Sequence, residues 1–343
     1  MPRILSLLTL IGVFGPGPAA GQSPSPSDFE ESVGRAEAIA PLNSLLIWHQ
    51  DSLVVEAYFR GMGESRRVNI KSASKSVLSA LVGIAVADGD LDSLDRPLAD
   101  FLPEYFRSGA ADKNEISLRH ALTMKTGLET TSFANYGAWV SSSDWVRFQV
   151  DQPLECEPGA CWSYSTGTSH LVAVILSRTT GQSLHAYAQE RLFGPMGIAI
   201  PTWDRDPQGN FLGGNNMALR PKDLLAFGRL YLQDGQWNGK QILSADWIRD
   251  SWGNYGRSPW NGNRYGYFWW NRDLAGERVW FAWGYGGQFV FVVPRLDLVV
   301  VMTASLVNRP AGVNHNARVY DLLEDFILPA ARRRGPSFSA PAR

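Results

Sequence analysis

Cysteine, histidine, lysine and any excess of one charge are scarce in this 343-residue chain, which holds two Cys, five His and six Lys at a formal net charge of −1. Zinc sites are assembled from Cys and His ligands at short spacings. Cys156 and Cys161 lack such company, and the nearest histidine in sequence, His170, has no partner at metal spacing, so neither metal nor cofactor is expected. No Gly-x-Ser-x-Gly elbow and no His-Glu-x-x-His pair occurs. None of His49, His120, His170, His185 and His315 stands in a recognisable catalytic setting. The short run Arg332-Arg333-Arg334 is the only concentration of charge, which argues against nucleic acid or anionic lipid as a partner. Past the first residues there is no apolar run of about 18, the length a spanning helix needs, and no internal repeat. With 45% hydrophobic and 19% charged residues, the chain can bury a large core. A small-molecule substrate suits this balance.

The most informative stretch present is Ile70-Lys71-Ser72-Ala73-Ser74-Lys75-Ser76-Val77, which sets a serine one turn ahead of a lysine at the mouth of an apolar helix. Residues three apart share a helix face. Ser72, Lys75, Ser76 and Ser79 therefore form a polar stripe on a segment otherwise filled by Val77, Leu78, Leu81, Val82, Ile84 and Val86. A serine becomes a nucleophile when a base takes its proton, and a lysine is such a base once desolvation lowers its pKa. The helix start adds free N–H groups and the positive end of the dipole, both suited to an oxyanion. The plainer reading is an N-cap serine followed by a solvated lysine. With 30 Ser and 6 Lys, about one chain in two of this composition carries a Ser-x-x-Lys by chance.

Residues 1–21 read as a secretory signal: Arg3 makes a positive start, residues 4–14 an apolar stretch, and Pro18-Ala19-Ala20-Gly21-Gln22 a small-residue cleavage region. Residues 22–28 form a Ser/Pro linker, 29–334 a single domain, and 335–343 a disordered tail. The expected location is secreted or periplasmic, with no stable membrane insertion after the signal is removed. Export permits a disulfide, and Pro158-Gly159 is a turn that can bring Cys156 to Cys161. Two free buried thiols are the alternative, with a metal pair a distant third.

Alternating apolar runs at 45–50 and 53–59 predict a hairpin across Asp51-Ser52. The apolar helix after Ser72 ends near Asp88-Gly89. Further helices are expected at 118–124, 142–150, 168–178, 184–192, 221–232 and 244–251, strands at 289–293 and 298–302 around the turn 294–297, and a closing helix near 314–331. Strands at both ends with helices between predict an α/β (α+β) fold. One antiparallel sheet is made from both termini, about 29–70 and 260–334, and a mostly helical region, about 71–259, is inserted. Ser72 falls at the seam between the two parts, where sites concentrate.

A lysine-activated serine needs a group that relays its proton to the leaving group. Tyr164, in Trp162-Ser163-Tyr164-Ser165-Thr166-Gly167 ahead of an apolar helix, is the best candidate, with a packing tyrosine as the plain alternative. Trp283-Gly284-Tyr285-Gly286-Gly287-Gln288 runs into a strand, and glycines there allow a ligand close to the backbone. The Gln288 N–H could complete an oxyanion hole with that of Ser72. A simple turn is the other reading.

Ser72-Ala73-Ser74-Lys75, Tyr164-Ser165-Thr166 and Tyr285-Gly286-Gly287-Gln288, in that order, resemble the three motifs of the serine β-lactamase and penicillin-binding-protein superfamily. The resemblance is to its class C β-lactamase-related branch, which includes serine esterases and 6-aminohexanoate-dimer hydrolases. It extends over 116–128, 220–230 and 265–270. It implies a β-lactamase/transpeptidase-like fold, Ser72 as acylated nucleophile, Lys75 and Tyr164 as the proton-handling pair, and the Ser72 and Gln288 N–H groups as oxyanion hole. The substrate-binding set then comprises Gly287, Gln288, Tyr285 and Tyr136, the last matching a loop tyrosine that assists amide cleavage in the nylon-oligomer branch. Thr166 stands where class C β-lactamases carry asparagine, and Tyr285 where they carry lysine. Those groups engage a β-lactam, so the expectation is an exported hydrolase of a small ester or linear amide. A β-lactamase or D-alanyl peptidase and a non-catalytic binding protein on the same scaffold are the alternatives. Oligomeric state is left open.

Overall fold

The first and last strands of the sheet lie side by side. A computed structural model describes residues 26–106, 111–307 and 311–333; the expected signal segment and C-terminal tail, and residues 22–25 of the expected linker, lie outside them. The strands are β1 Leu42–His49, β2 Ser52–Tyr58, β3 Gly256–Arg257, β4 Arg264–Tyr265, β5 Trp270–Leu274, β6 Glu277–Gly284, β7 Gln288–Val293 and β8 Leu298–Ala304. They form one antiparallel sheet in the order β2-β1-β8-β7-β6-β5-β4-β3. Leu45 faces Met302 and Ile47 faces Val300 across β1 and β8, so the two ends of the chain close the sheet as expected.

Two details differ from the sequence reading. The first hairpin turns at Gln50-Asp51, with φ of 47° and 58°, rather than at Asp51-Ser52. Two consecutive left-handed residues give the turn whose twist matches the strands, and Ser52 joins β2. Strands β3 and β4, two residues each, and the longer β5 and β6 were not expected. Arg272, Asp273, Glu277 and Arg278 interrupt their apolar pattern, and the turn between them, Ala275-Gly276 with φ of 47° and 79°, lacks a marked turn sequence.

Strands β7 and β8 are buried along their whole length, as continuous Val-rich strands are when both sheet faces are covered. The principal helices are α1 Glu30–Glu37, α2 Ser74–Asp88, α3 Tyr136–Val140, α4 Trp145–Val150, α5 Thr166–Thr180, α6 Pro221–Leu232 and α7 His315–Asp321. Helix α6 covers β1, β7 and β8. Tyr320 of α7 packs on Phe281, Phe289 and Phe291. Helix α2 is buried on every side from Ser74 to Ala85, so it runs through the molecule rather than over it.

A short pairing of Val68–Asn69 with Ala218–Leu219, extended by the Ile70 N–H donating to the Met217 carbonyl at 2.9 Å, ties the start of α2 to the loop before residue 217. Two chain segments about 145 residues apart thus meet at the sheet's edge with the helical region. No helix among the described residues is long and apolar enough to cross a membrane.

Candidate active site

Ser72 lies in a 3-10 turn, Lys71–Ala73, that leads without a break into α2. The helix proper begins two residues later than its apolar pattern suggested. Lys71 has φ of 54°, its N–H held by Asn69 Oδ1 at 2.9 Å, and Ser74 Oγ donates to the Lys71 carbonyl at 2.7 Å. The left-handed residue bends the backbone so that Ser72 stands out into a cleft. Lys75, in the first turn of α2, brings Nζ to 3.5 Å from Ser72 Oγ.

Lys75 is 1% exposed. Its ammonium donates to the Gly214 carbonyl at 2.7 Å and to Thr166 Oγ1 at 3.2 Å, and no carboxylate of a described residue pairs with it. Burial without a counter-ion disfavours the cation, which lowers the Lys75 pKa to about 7. The Tyr164 ring, 5.0 Å from Nζ, pulls the other way, but a cation–π contact is weaker than full desolvation. Lys75 is therefore an available base near neutrality.

Tyr164 lines the cleft beside Ser72 and stacks on Trp270 at 5.7 Å. Packing around the ring raises its pKa, an effect the Ser72 contact only partly offsets. The phenol is thus a proton donor at neutral pH rather than an anion. Its position is pinned from both sides: Ser163 N–H donates to the Met124 carbonyl at 2.9 Å, and Thr130 Oγ1 to the Tyr164 carbonyl at 2.6 Å. Cys156 and Cys161 form a disulfide that closes the loop just upstream, so of the open alternatives for this pair the disulfide is the one found. Ser165 caps α5, accepting from the Thr168 N–H, and Thr166 follows with its hydroxyl on Lys75 and on Ser132 Oγ at 3.0 Å. Where the resemblance suggested a missing substrate contact, Thr166 is engaged in holding the lysine.

The cleft in front of Ser72 measures about 580 Å³ and is lined by Lys71, Ser132, Phe133, Tyr136, Tyr164, Thr166, Asn215, Asn216, Trp260, Trp270, Trp283 and Tyr285. Tyr136 opens α3 and accepts from Asn215 Nδ2 at 2.9 Å; burial raises its pKa. Tyr285 is on the rim, 71% exposed. Gly287 and Gln288 do not line the cleft. A Cβ on Gly287 would lie 2.2 Å from His315 Nε2, and the Gln288 side chain is turned onto Ala304, Nε2 donating to its carbonyl at 2.8 Å. A Cβ on Gly284 would come within 2.0 Å of the Ile70 carbonyl, so the bare glycine lets the end of β6 abut the segment carrying Ser72.

Sequence reasoning missed Gly214, Ser132, Asn215, Asn216, Trp260 and Trp283. Gly214 acts through its carbonyl, which leaves no mark in residue type; the Gly213-Gly214-Asn215-Asn216 run offered only a turn signal. It also missed a buried pair behind that loop. His170 Nδ1 accepts from the Gly213 N–H at 3.2 Å and so leaves the proton on Nε2, which donates to Asp206 Oδ2 at 2.9 Å. Ser169 Oγ holds the Gly213 carbonyl at 2.8 Å. Helix α5 thereby fixes both sides of the peptide whose neighbour takes Lys75.

A sheet closed by the two termini, covered on both faces, with a Ser-x-x-Lys turn at its seam with a helical region, is the β-lactamase/transpeptidase-like arrangement. The β-lactamase family model matches residues 36–324, and the chain belongs to that family, whose members are in general serine hydrolases. An uncharacterised protein of Alkalihalophilus pseudofirmus is 23% identical over 318 residues, spanning 80% of this chain and 87% of that protein. Among solved structures, a penicillin-binding-protein homologue from Caulobacter crescentus superposes with a TM-score of 0.72 at 16% identity, covering 91% of this chain and 99% of the other. EstCE1, a hydrolase with promiscuous acyltransferase activity, gives 0.70 at 17%, covering 87% and 99%. A Bacillus anthracis protein assigned as a 6-aminohexanoate-dimer hydrolase gives 0.67 at 20%, covering 85% and 79%. At these identities the likeness is one of fold.

Proposed function

We propose that this chain is a serine hydrolase that cleaves an ester or a linear amide through an acyl-enzyme on Ser72. The observation that carries the reading is Lys75: a buried amine whose pKa falls to about 7, 3.5 Å from a serine hydroxyl that opens onto a largely aromatic cleft. In the first step Ser72 Oγ attacks the substrate carbonyl and its proton passes to Lys75 Nζ. The oxyanion meets the Ser72 N–H and, as the second donor, the Gln288 N–H; the approach of Gly284 to Ile70 supports that pairing. The tetrahedral species collapses, and the departing alcohol or amine takes the proton from Lys75 by way of the Tyr164 hydroxyl, which lines the cleft beside Ser72. Water then repeats the sequence on the acyl-enzyme and frees Ser72. Tyr136 offers a further hydroxyl donor in the cleft.

Esters and linear amides are favoured over β-lactams because Thr166 is occupied with Lys75 and the third motif carries tyrosine in place of lysine. The similarity of fold to EstCE1 agrees with an ester-cleaving site. Residues 1–21 would direct export, with the Cys156–Cys161 disulfide in keeping with an oxidising compartment. The test is turnover of p-nitrophenyl acetate and butyrate beside nitrocefin. Wild-type protein should cleave the esters and far outpace its action on nitrocefin, while Ser72→Ala should be inactive and escape labelling by a fluorophosphonate. Full ester turnover by Ser72→Ala would end this reading.

A further inference from the structure

Among the described residues that line the cleft, Lys71 is the one formally charged side chain. Its backbone occupies the left-handed region at φ 54°, which glycine adopts freely and lysine does not. Asn216, across from it, is left-handed as well, at φ 61°. Together they form a polar corner of the cleft. Their hydrogen bonds give it a direction. Asn216 Nδ2 donates to Asp204 Oδ2 at 2.5 Å, which turns Oδ1 toward Asn69 Nδ2 and Lys71 Nζ, each 3.1 Å away. An ammonium carries three donors, and no carboxylate of a described residue forms an ion pair with this one; Asp204 stands behind the Asn216 amide. Tyr136 also lines the cleft and is tied to Asn215, the neighbour of Asn216. Its oxygen already accepts from Asn215, so its proton is left to donate elsewhere.

The rest of the cleft is of opposite character. Trp260 and Phe133 are 53% and 63% exposed and pack edge to face at 5.0 Å, with Trp270 and Trp283 beside them. Large exposed aromatic faces in a concavity bind apolar ligand surface. We propose that Lys71, with Tyr136, binds a carboxylate of the substrate while the tryptophan end takes an aryl or alkyl arm, which makes the substrate a carboxylate-bearing ester or amide. This rests on the acyl-enzyme reading and specifies the substrate class of that site.

Two matched pairs of esters test it: 4-carboxyphenyl butyrate against phenyl butyrate, and monophenyl glutarate against phenyl pentanoate. In at least one pair the carboxylate should raise kcat/KM about tenfold or more, mainly through KM, as one charge-assisted contact would. Lys71→Met should bring that ratio to about one, and Lys71→Arg should keep most of it. Because each ratio is taken within one preparation, a partly folded variant does not distort it. Ratios near one in both pairs for the wild type, with turnover still dependent on Ser72, overturn the carboxylate assignment and leave the hydrolase standing. A preference that survives Lys71→Met also overturns it. Failure of all four esters, together with no fluorophosphonate label on Ser72, removes the acyl-enzyme reading and this inference with it.

Discussion

Lys71 and Lys75 flank the same serine and carry the same side chain, yet they meet opposite surroundings. Lys75 points into the molecule, where it is 1% exposed and bonded only to neutral oxygens, and its pKa falls to about 7. Lys71 lines an open cleft and shares an asparagine oxygen with another amide. Four positions of separation should place two helical residues on one face. They diverge because the backbone is left-handed at Lys71 and helical only from Ser74. Desolvation rather than residue type sets the two apart: burial lowers the pKa of Lys75, while Lys71 faces the cleft.

The largest expected effect separates the two directly. Lys75→Met should lower kcat/KM for p-nitrophenyl butyrate by on the order of a thousandfold or more, and Lys71→Met by no more than about tenfold; equal losses would break the comparison. Stability should respond with a definite sign. Folded Lys75 loses its proton near pH 7 and the unfolded chain's lysine near 10.4. Between those values the unfolded state binds more protons, so wild type should gain stability over Lys75→Met as pH rises. Urea denaturation at pH 7 and 9.5 should show a relative gain of up to about 3 kcal/mol. A flat difference would mean that Lys75 is charged in the fold. The same group governs rate: kcat/KM should climb with pH through about 7 as Lys75 becomes neutral, read from a pH profile of ester turnover, and Lys71→Met should leave that limb in place. The smallest effect tests the support behind the base. Asp206→Asn frees the His170 ring that holds Gly213, so kcat should fall roughly tenfold with KM little changed. Unaltered kcat would show that the loop keeps its place without the pair.

Much of this was legible in the chain. Val-rich runs at 289–293 and 298–302, the early hairpin and the apolar helix after Ser72 each follow from a local period, and each is found within a residue or two. Ser72, Tyr164 and Tyr136 line one cleft from three separate segments, with Lys75 buried behind the serine. What escaped was whatever acts through backbone or through distance. The Gly214 carbonyl, the Ser132 hydroxyl on Thr166 and the Gly213 contact with His170 have no pattern of their own. Strands β5 and β6 were hidden by charged residues that find partners only in the fold: Asp273 pairs with Arg264 and Arg278, and buried Glu277 with Arg332.

By itself the sequence determined the first hairpin, the two Val-rich strands and the apolar helix after Ser72, that both termini supply strands to one sheet, and that a serine and a lysine stand three residues apart, because these depend on periodicity and spacing along the chain. Tertiary structure alone decided that Lys75 is dry and Lys71 is not, that Thr166 and the Gly214 carbonyl receive the buried amine, and that Gly287 and Gln288 turn their side chains away from the cleft. Proton affinity is set by what surrounds a group in space, and those surroundings are assembled from segments the sequence keeps far apart.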